Sequence, residues 1–115
     1  MDKRKQGAIG ENIACEYLEE KGYEILRRNY FTRYGEIDII AKIKEILVFV
    51  EFKMRSNNHY GIGAEAVTIK KIDKIQICAQ LYLQENNLNN QDIRFDVIDI
   101  MGTGNKQINH IEAAF

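Results

Sequence analysis

The 115-residue chain has no proline, no tryptophan and only two cysteines. With no proline-rich spacer, no internal repeat and no low-complexity tract, a single domain over residues 1–115 is expected, long enough to bury a modest core. No apolar run approaches the roughly 20 residues of a membrane span. The opening MDKRKQGAIGE is charged and lacks a signal-peptide apolar region. A cytoplasmic protein without a membrane partner is therefore expected. In that setting Cys15 and Cys78 read as packed helix thiols, not as a bridge or a metal site. An excess of positive charge is also missing, since the formal net charge is −1. That excludes a generally basic nucleic-acid binder and leaves phosphate contacts to local clusters.

What is present centres on Gly35 to Arg55, which reads as two strands joined by a tight turn. Ile46 to Phe52 is apolar and β-branched, as suits a strand buried on both faces. Charge then appears abruptly at Glu51 and Lys53. Asp38 interrupts Ile37, Ile39 and Ile40, although Asp is a poor strand former and is rarely buried without a partner. With the turn at Lys44 and Glu45, Ile43 faces Ile46, Ala41 faces Val48, Asp38 faces Glu51 and Glu36 faces Lys53. Directly opposed residues share a face, with Cβ atoms roughly 4.5–5.5 Å apart. Two carboxylates so close share a proton or hold a cation. Asp38, Glu51 and the Phe52 carbonyl offer three oxygens to a hard ion such as Mg²⁺. Lys53 lies beside them, which is equipment for metal-assisted phosphodiester hydrolysis. An ordinary charge ladder accounts for the same spacing equally well.

Around this hairpin, Lys3 to Lys21 reads as a helix ended by Gly22. Gly7, Gly10, Ile13, Ala14, Tyr17 and Leu18 share its apolar face, with Glu11 at the border. Tyr23 to Phe31 reads as a strand in which Arg27 and Arg28, with nearby Arg33, interleave with Tyr30, Phe31 and Tyr34. Such a segment suits phosphates and unpaired bases, or an edge strand that uses charge to block aggregation. The Gly- and Asn-rich loop after Arg55 carries His59 and follows the proposed site, as a substrate-contacting loop would. Thr68 is the expected N-cap of a helix from Ile69 to about Glu85. Lys70, Lys71 and Lys74 cluster in its first turns, where a helix N-terminus attracts anions. Ile77 and Leu81 lie off its core face. Arg94 to Met101 and Gln107 to Ile111 read as further strands, with Asp96 and Asp99 as structural residues. The element order is α-β-β-β-α-β-β, with a crossover helix that makes Arg94 to Met101 parallel to Ile46 to Lys53.

Asp38 followed by Glu51-Phe52-Lys53 is similar to the D…(D/E)-x-K signature of restriction-endonuclease-like nucleases. The wider set runs from Gly7, Gly10-Glu11, Ala14, Tyr17-Leu18 and Gly22-Tyr23 through Arg28-Asn29, Gly35-Glu36-Ile37-Asp38, Phe49-Val50-Glu51, Lys53 and Arg55. It continues through Lys71, Ala79, Tyr82-Leu83 and Phe95-Asp96-Val97 to His110-Ile111 and Ala113-Ala114-Phe115. Over nearly the whole chain this resembles the YraN-like family of small bacterial proteins, related to Holliday-junction resolvases. Phe52 and Met54 depart from the family's usual Val and Thr. The resemblance implies an α/β fold with a mixed central sheet flanked by helices. It implies Mg²⁺ or Mn²⁺ held by Asp38 and Glu51 with help from Glu11, and Lys53 acting on the attacking water. The expected partner is structured or single-stranded DNA, touched by Arg27, Arg28, Arg33, Arg55, Lys70, Lys71 and Lys74, and the expected assembly is a monomer or a weak homodimer. A non-catalytic DNA-binding or repair-complex module is the alternative.

Overall fold

The structure, a computed structural model, describes residues 3–55, 68–102 and 105–115. The segment 56–67, which carries His59, lies outside the described residues. Among the described residues seven elements follow in the expected order: α1 (Lys3–Glu20), β1 (Glu24–Thr32), β2 (Gly35–Ile43), β3 (Ile46–Arg55), α2 (Ile69–Glu85), β4 (Asp92–Met101) and β5 (Gln107–Ile111). The strands form one sheet in the order β1-β2-β3-β4-β5. Only β3 and β4 are parallel; the other pairs are antiparallel. The parallel pair follows from the α2 crossover, since a parallel connection needs a long excursion.

One helix covers each face of the sheet. Ala14, Cys15 and Leu18 of α1 pack on Ile39, Ala41, Val48, Val50, Ile98 and Ile100. Ile75, Cys78, Ala79 and Tyr82 of α2 pack on Tyr30, Ile37, Ile40, Leu47 and Phe49. β3 is central and feeds both cores, which is why its sequence is apolar without alternation. A Cβ built on Gly10 would lie 2.9 Å from the Phe52 ring and 3.1 Å from the Met54 sulfur. The glycine therefore lets α1 sit directly over the end of β3. At α2, Thr68 caps as expected: its side chain accepts from the Lys71 N–H at 3.2 Å. Both cysteines are buried and free.

The chain end returns along β5 and crosses the sheet edge. His110 meets α1 through Tyr17, while Phe115 stacks on Phe95 at 5.1 Å between ring centroids and packs with the α2-side core. The Ala114 N–H bonds the Phe95 carbonyl at 2.8 Å and closes this strap.

Candidate active site

The site lies where the sheet's hydrogen-bond ladders open. The β2–β3 turn falls at Lys44 and Glu45, and the register runs Ile43↔Ile46, Ala41↔Val48 and Ile39↔Val50. The expected parity is therefore present, but the regular pairing ends one step before Asp38 and Glu51. It does not extend to Glu36 and Lys53; Glu36 instead pairs with Phe31 of β1. Beyond the last pair the Phe52 N–H donates to the Asp38 carboxylate, Oδ2, at 3.1 Å. A side chain has taken over from the backbone there.

The β1–β2 ladder breaks at the same place. Arg28↔Ile39 and Tyr30↔Ile37 are paired on either side of Asn29 and Asp38 with no register shift. Arg28 bonds Asn12 of α1 at 2.7 Å, yet Tyr30 meets Tyr82 and Glu85 of α2. Ile39 packs under α1 and Ile37 under α2. Residues two apart on a strand normally share a face. Here both strands turn over at one pair, and Asn29 makes the turn with φ 53°. Asn tolerates that left-handed conformation better than most residues. Irregularities of this kind re-aim side chains and end pairing, and here the effect is to free Asp38.

Asp38 and Glu51 line a cavity of about 420 Å³ on the α2 side, with Glu36, Lys70, Lys71 and Lys74 around them. A second cavity of about 430 Å³ on the α1 side is lined by Glu11, Asn29, Phe31, Glu36 and Asp38. Asp38 thus stands between two openings. Burial, with Glu51 beside it, pushes the Asp38 carboxyl up to about 8. Glu51 is buried and ion-paired to Lys71, with Lys53 at 3.8 Å. Burial and then the adjoining Lys71 lower the Lys53 ammonium below the usual lysine range. Burial opposes charge on Lys71 too, but its bonds to Glu51 and Lys53, together with the charges of Glu51 and Asp38, outweigh that and raise it. Of the two lysines, Lys53 gives up its proton more readily.

Glu11 faces the α1-side cavity. Its side chain is 13% exposed, with Arg28 at 3.9 Å, and its Oε1 is buried without a hydrogen-bond partner among the described residues. It shares a cavity with Asp38 but not with Glu51. Among the described residues, no group of three or more His, Cys, Asp or Glu side chains comes together to hold a metal ion. Of the basic residues singled out in the sequence, Lys70, Lys71 and Lys74 line the α2-side cavity. Arg27 lies over the Tyr30 ring at 4.9 Å and Arg33 over Tyr34 at 4.8 Å. Arg28 is on the opposite face, engaged with α1. Arg55 forks onto Asp99, at 3.2 Å from Nε and 2.7 Å from Nη2.

Two features escaped the sequence reading. In the sequence Lys71 reads as an anion contact, but nothing in a helical pattern places it on Glu51. Asp99, distant in sequence from the site, stands directly across the parallel pair from Lys53. Asp96 is structural, as expected, through partners that no motif announces. It is fully buried, takes both prongs of Arg94 at 2.8 Å, and accepts from the Ala113 N–H at 3.1 Å and from His110 Nε2 at 2.7 Å. Those bonds outweigh burial and hold its carboxyl below the usual range. His110 Nδ1 in turn meets the Tyr17 hydroxyl at 3.1 Å.

The fold and site define a mixed α/β protein: a five-stranded sheet between two helices, with an acidic pair and lysines at a break in the sheet. The family model described as "Uncharacterised protein family UPF0102" matches residues 10–100. A UPF0102 protein of Sulfurihydrogenibium is 48% identical over 115 residues, covering 100% of this chain and 97% of its own. One from Clostridioides difficile is 48% identical with both chains covered completely, and one from Alkaliphilus oremlandii is 49% identical over 97% of this chain and 98% of its own. The chain belongs to the UPF0102 family, the YraN-like group expected from its residues.

Proposed function

We propose that this protein is a metal-dependent endodeoxyribonuclease of the restriction-endonuclease-like class, acting in the cytoplasm on branched or damaged DNA during repair or recombination. The observation that carries the reading is the opening of the ladders at Asp38, which leaves Asp38 and Glu51 on one cavity with Lys53 beside Glu51. An acidic pair buried among basic side chains is costly as structure alone, and strongly perturbed groups in a cleft mark functional sites.

The donor set suits Mg²⁺ or Mn²⁺, which take oxygen ligands, need few from protein and keep several waters. Asp38, Glu51 and the Phe52 carbonyl would hold the ion, and the unpartnered Glu11 oxygen supports a contribution from the α1 side. Such an ion supplies Lewis-acid polarisation of a phosphodiester. Lys53, whose charge burial disfavours, orients or deprotonates the attacking water, or offsets charge on the phosphorane-like transition state. Lys70, Lys71 and Lys74 hold neighbouring phosphates, with Arg27 and Arg33 further along the edge. The enzyme works as a monomer or as a weak dimer assembled on substrate.

The ion pair of Lys71 with Glu51 favours a second reading, a DNA-binding module whose lysines satisfy the carboxylates without catalysis. Branched, single-stranded and duplex DNA incubated with Mn²⁺ or Mg²⁺ decides between them. Cleavage by the wild type, reduced at least about 100-fold in Asp38→Asn, Glu51→Gln and Lys53→Met, is expected of an enzyme that works through these groups. Binding without cleavage under every condition leaves the second reading.

A further inference from the structure

Phe31 packs in neither core. It is 70% exposed, and Tyr34, across the β1–β2 turn, is 40% exposed. Two aromatic rings on one hairpin are set out in solvent, and the turn that joins them is tied by side-chain bonds. The Thr32 hydroxyl donates to the Gly35 carbonyl at 3.1 Å and accepts from the Tyr34 N–H at 3.0 Å. The same oxygen lies 3.2 Å from the Cys78 sulfur of α2. Arg33 covers one ring, Tyr34, at 4.8 Å. Phe31 also forms part of the wall of the α1-side cavity that contains Glu11 and Asp38. At about 430 Å³, that cavity falls in the range of small-ligand sites, roughly 300–1,000 Å³.

We infer that Phe31 is a stacking platform for one unpaired nucleobase, and that the substrate of the proposed nuclease is DNA with an unpaired nucleotide beside the scissile phosphate. This rests on the nuclease reading above. An exposed aromatic ring at the mouth of the cavity, with Arg33 two residues along on the same hairpin turn, suits a base and its phosphate, because every base offers a π-face and Arg33 offers charge. Within intact duplex the bases stack on one another, and reaching Phe31 requires extruding one. A junction, flap or gap supplies the free base without that cost. Phe31 touches substrate in this arrangement and sets specificity; Tyr34 and Arg33 extend the platform along the hairpin.

The test uses the full chain without added divalent cation, so that binding is read apart from cleavage. The probes are gapped and branched oligonucleotides with 2-aminopurine at the unpaired position, and a matched intact duplex. Wild type is expected to quench the 2-aminopurine. Phe31→Ala should lose quenching and roughly tenfold in affinity for the unpaired probes, with duplex affinity changed less than twofold, and Phe31→Trp should restore both. Equal losses on all probes, or no quenching by a wild type that does bind, overturn the platform and leave the nuclease reading standing. Failure of the wild type to bind any of the DNAs, both without divalent cation and with Ca²⁺ in place of Mn²⁺ or Mg²⁺, overturns both. A dimer in sedimentation that Phe31→Ala disperses makes a second copy of the chain the occupant, and overturns the platform as well.

Discussion

Asp38 shows how one residue can work against stability and still be legible. A lone carboxylate among isoleucines stands out against hydrophobic alternation, and the same alternation places Glu51 beside it. In the unfolded chain an Asp titrates near pH 3.9; in the fold, burial and Glu51 move Asp38 to about 8. Between these values the folded protein holds a proton that the unfolded chain has released. The contribution is therefore fully present below about pH 4 and is lost as pH rises through about 8. Asp38→Asn keeps an acceptor for the Phe52 N–H and carries no charge. It should gain on the order of 1–3 kcal/mol over the wild type at pH 8 and nothing near pH 4, read from urea melts. A pH-independent difference would remove this account of the pair. By contrast, Lys71 on Glu51 and Arg55 on Asp99 were not legible. Both depend on how α2 and β4 dock against β3, and no local pattern encodes that.

At the scale of elements, the helices and strands were legible because each carries its own signals: Thr68 before α2, Gly22 after α1, apolar runs in β2 and β3. The turnover of β1 and β2 at Asn29 and Asp38 was not, because strand parity assumes an unbroken pleat. The one local sign is an asparagine in a strand. Asn29→Val should cost about 1–2 kcal/mol, since a β-branched residue resists φ > 0. Asn29→Gly should be close to neutral, and thermal melts of the two compare them directly. The β4–β5 clasp is a separate unit. Removing one partner of a buried ion pair costs about 3–5 kcal/mol, so Arg94→Ala should approach that range. Because Arg94 and His110 meet on one carboxylate, the cost of Arg94→Ala and His110→Ala combined should differ measurably from their sum.

The whole molecule combines these opposing groups. Asp96, held below its usual range, contributes stability that disappears as pH falls through its folded value. Asp38 contributes stability that disappears as pH rises towards about 8. Stability should therefore peak on the acidic side of neutrality rather than at neutrality. A melting-temperature profile from pH 3 to 9 checks this, and Asp38→Asn should flatten its upper limb. Adding Mn²⁺ should stabilise the wild type, by about 2.7 kcal/mol at a hundredfold excess over the dissociation constant, raising its melting temperature while leaving that of Asp38→Asn unmoved. Ile77 is exposed on α2, which agrees with its place off the core face. Ile77→Glu should stay soluble and weaken any self-association seen in sedimentation.

The sheet order has a kinetic consequence. β1, β2 and β3 form a meander of neighbouring hairpins, whereas β4 joins β3 only after the chain has travelled through α2. Local contacts close with less entropy loss than distant ones. Asp38 and Glu51 therefore meet early on the pathway, while Lys71 arrives with the late docking of α2. For that interval the acidic pair has Lys53 but not Lys71. Refolding should accelerate as pH falls from 8 towards 5, and Asp38→Asn should refold at a rate that pH in this range barely changes. Stopped-flow refolding limbs that superimpose across the range would place the meander after the rate-limiting step.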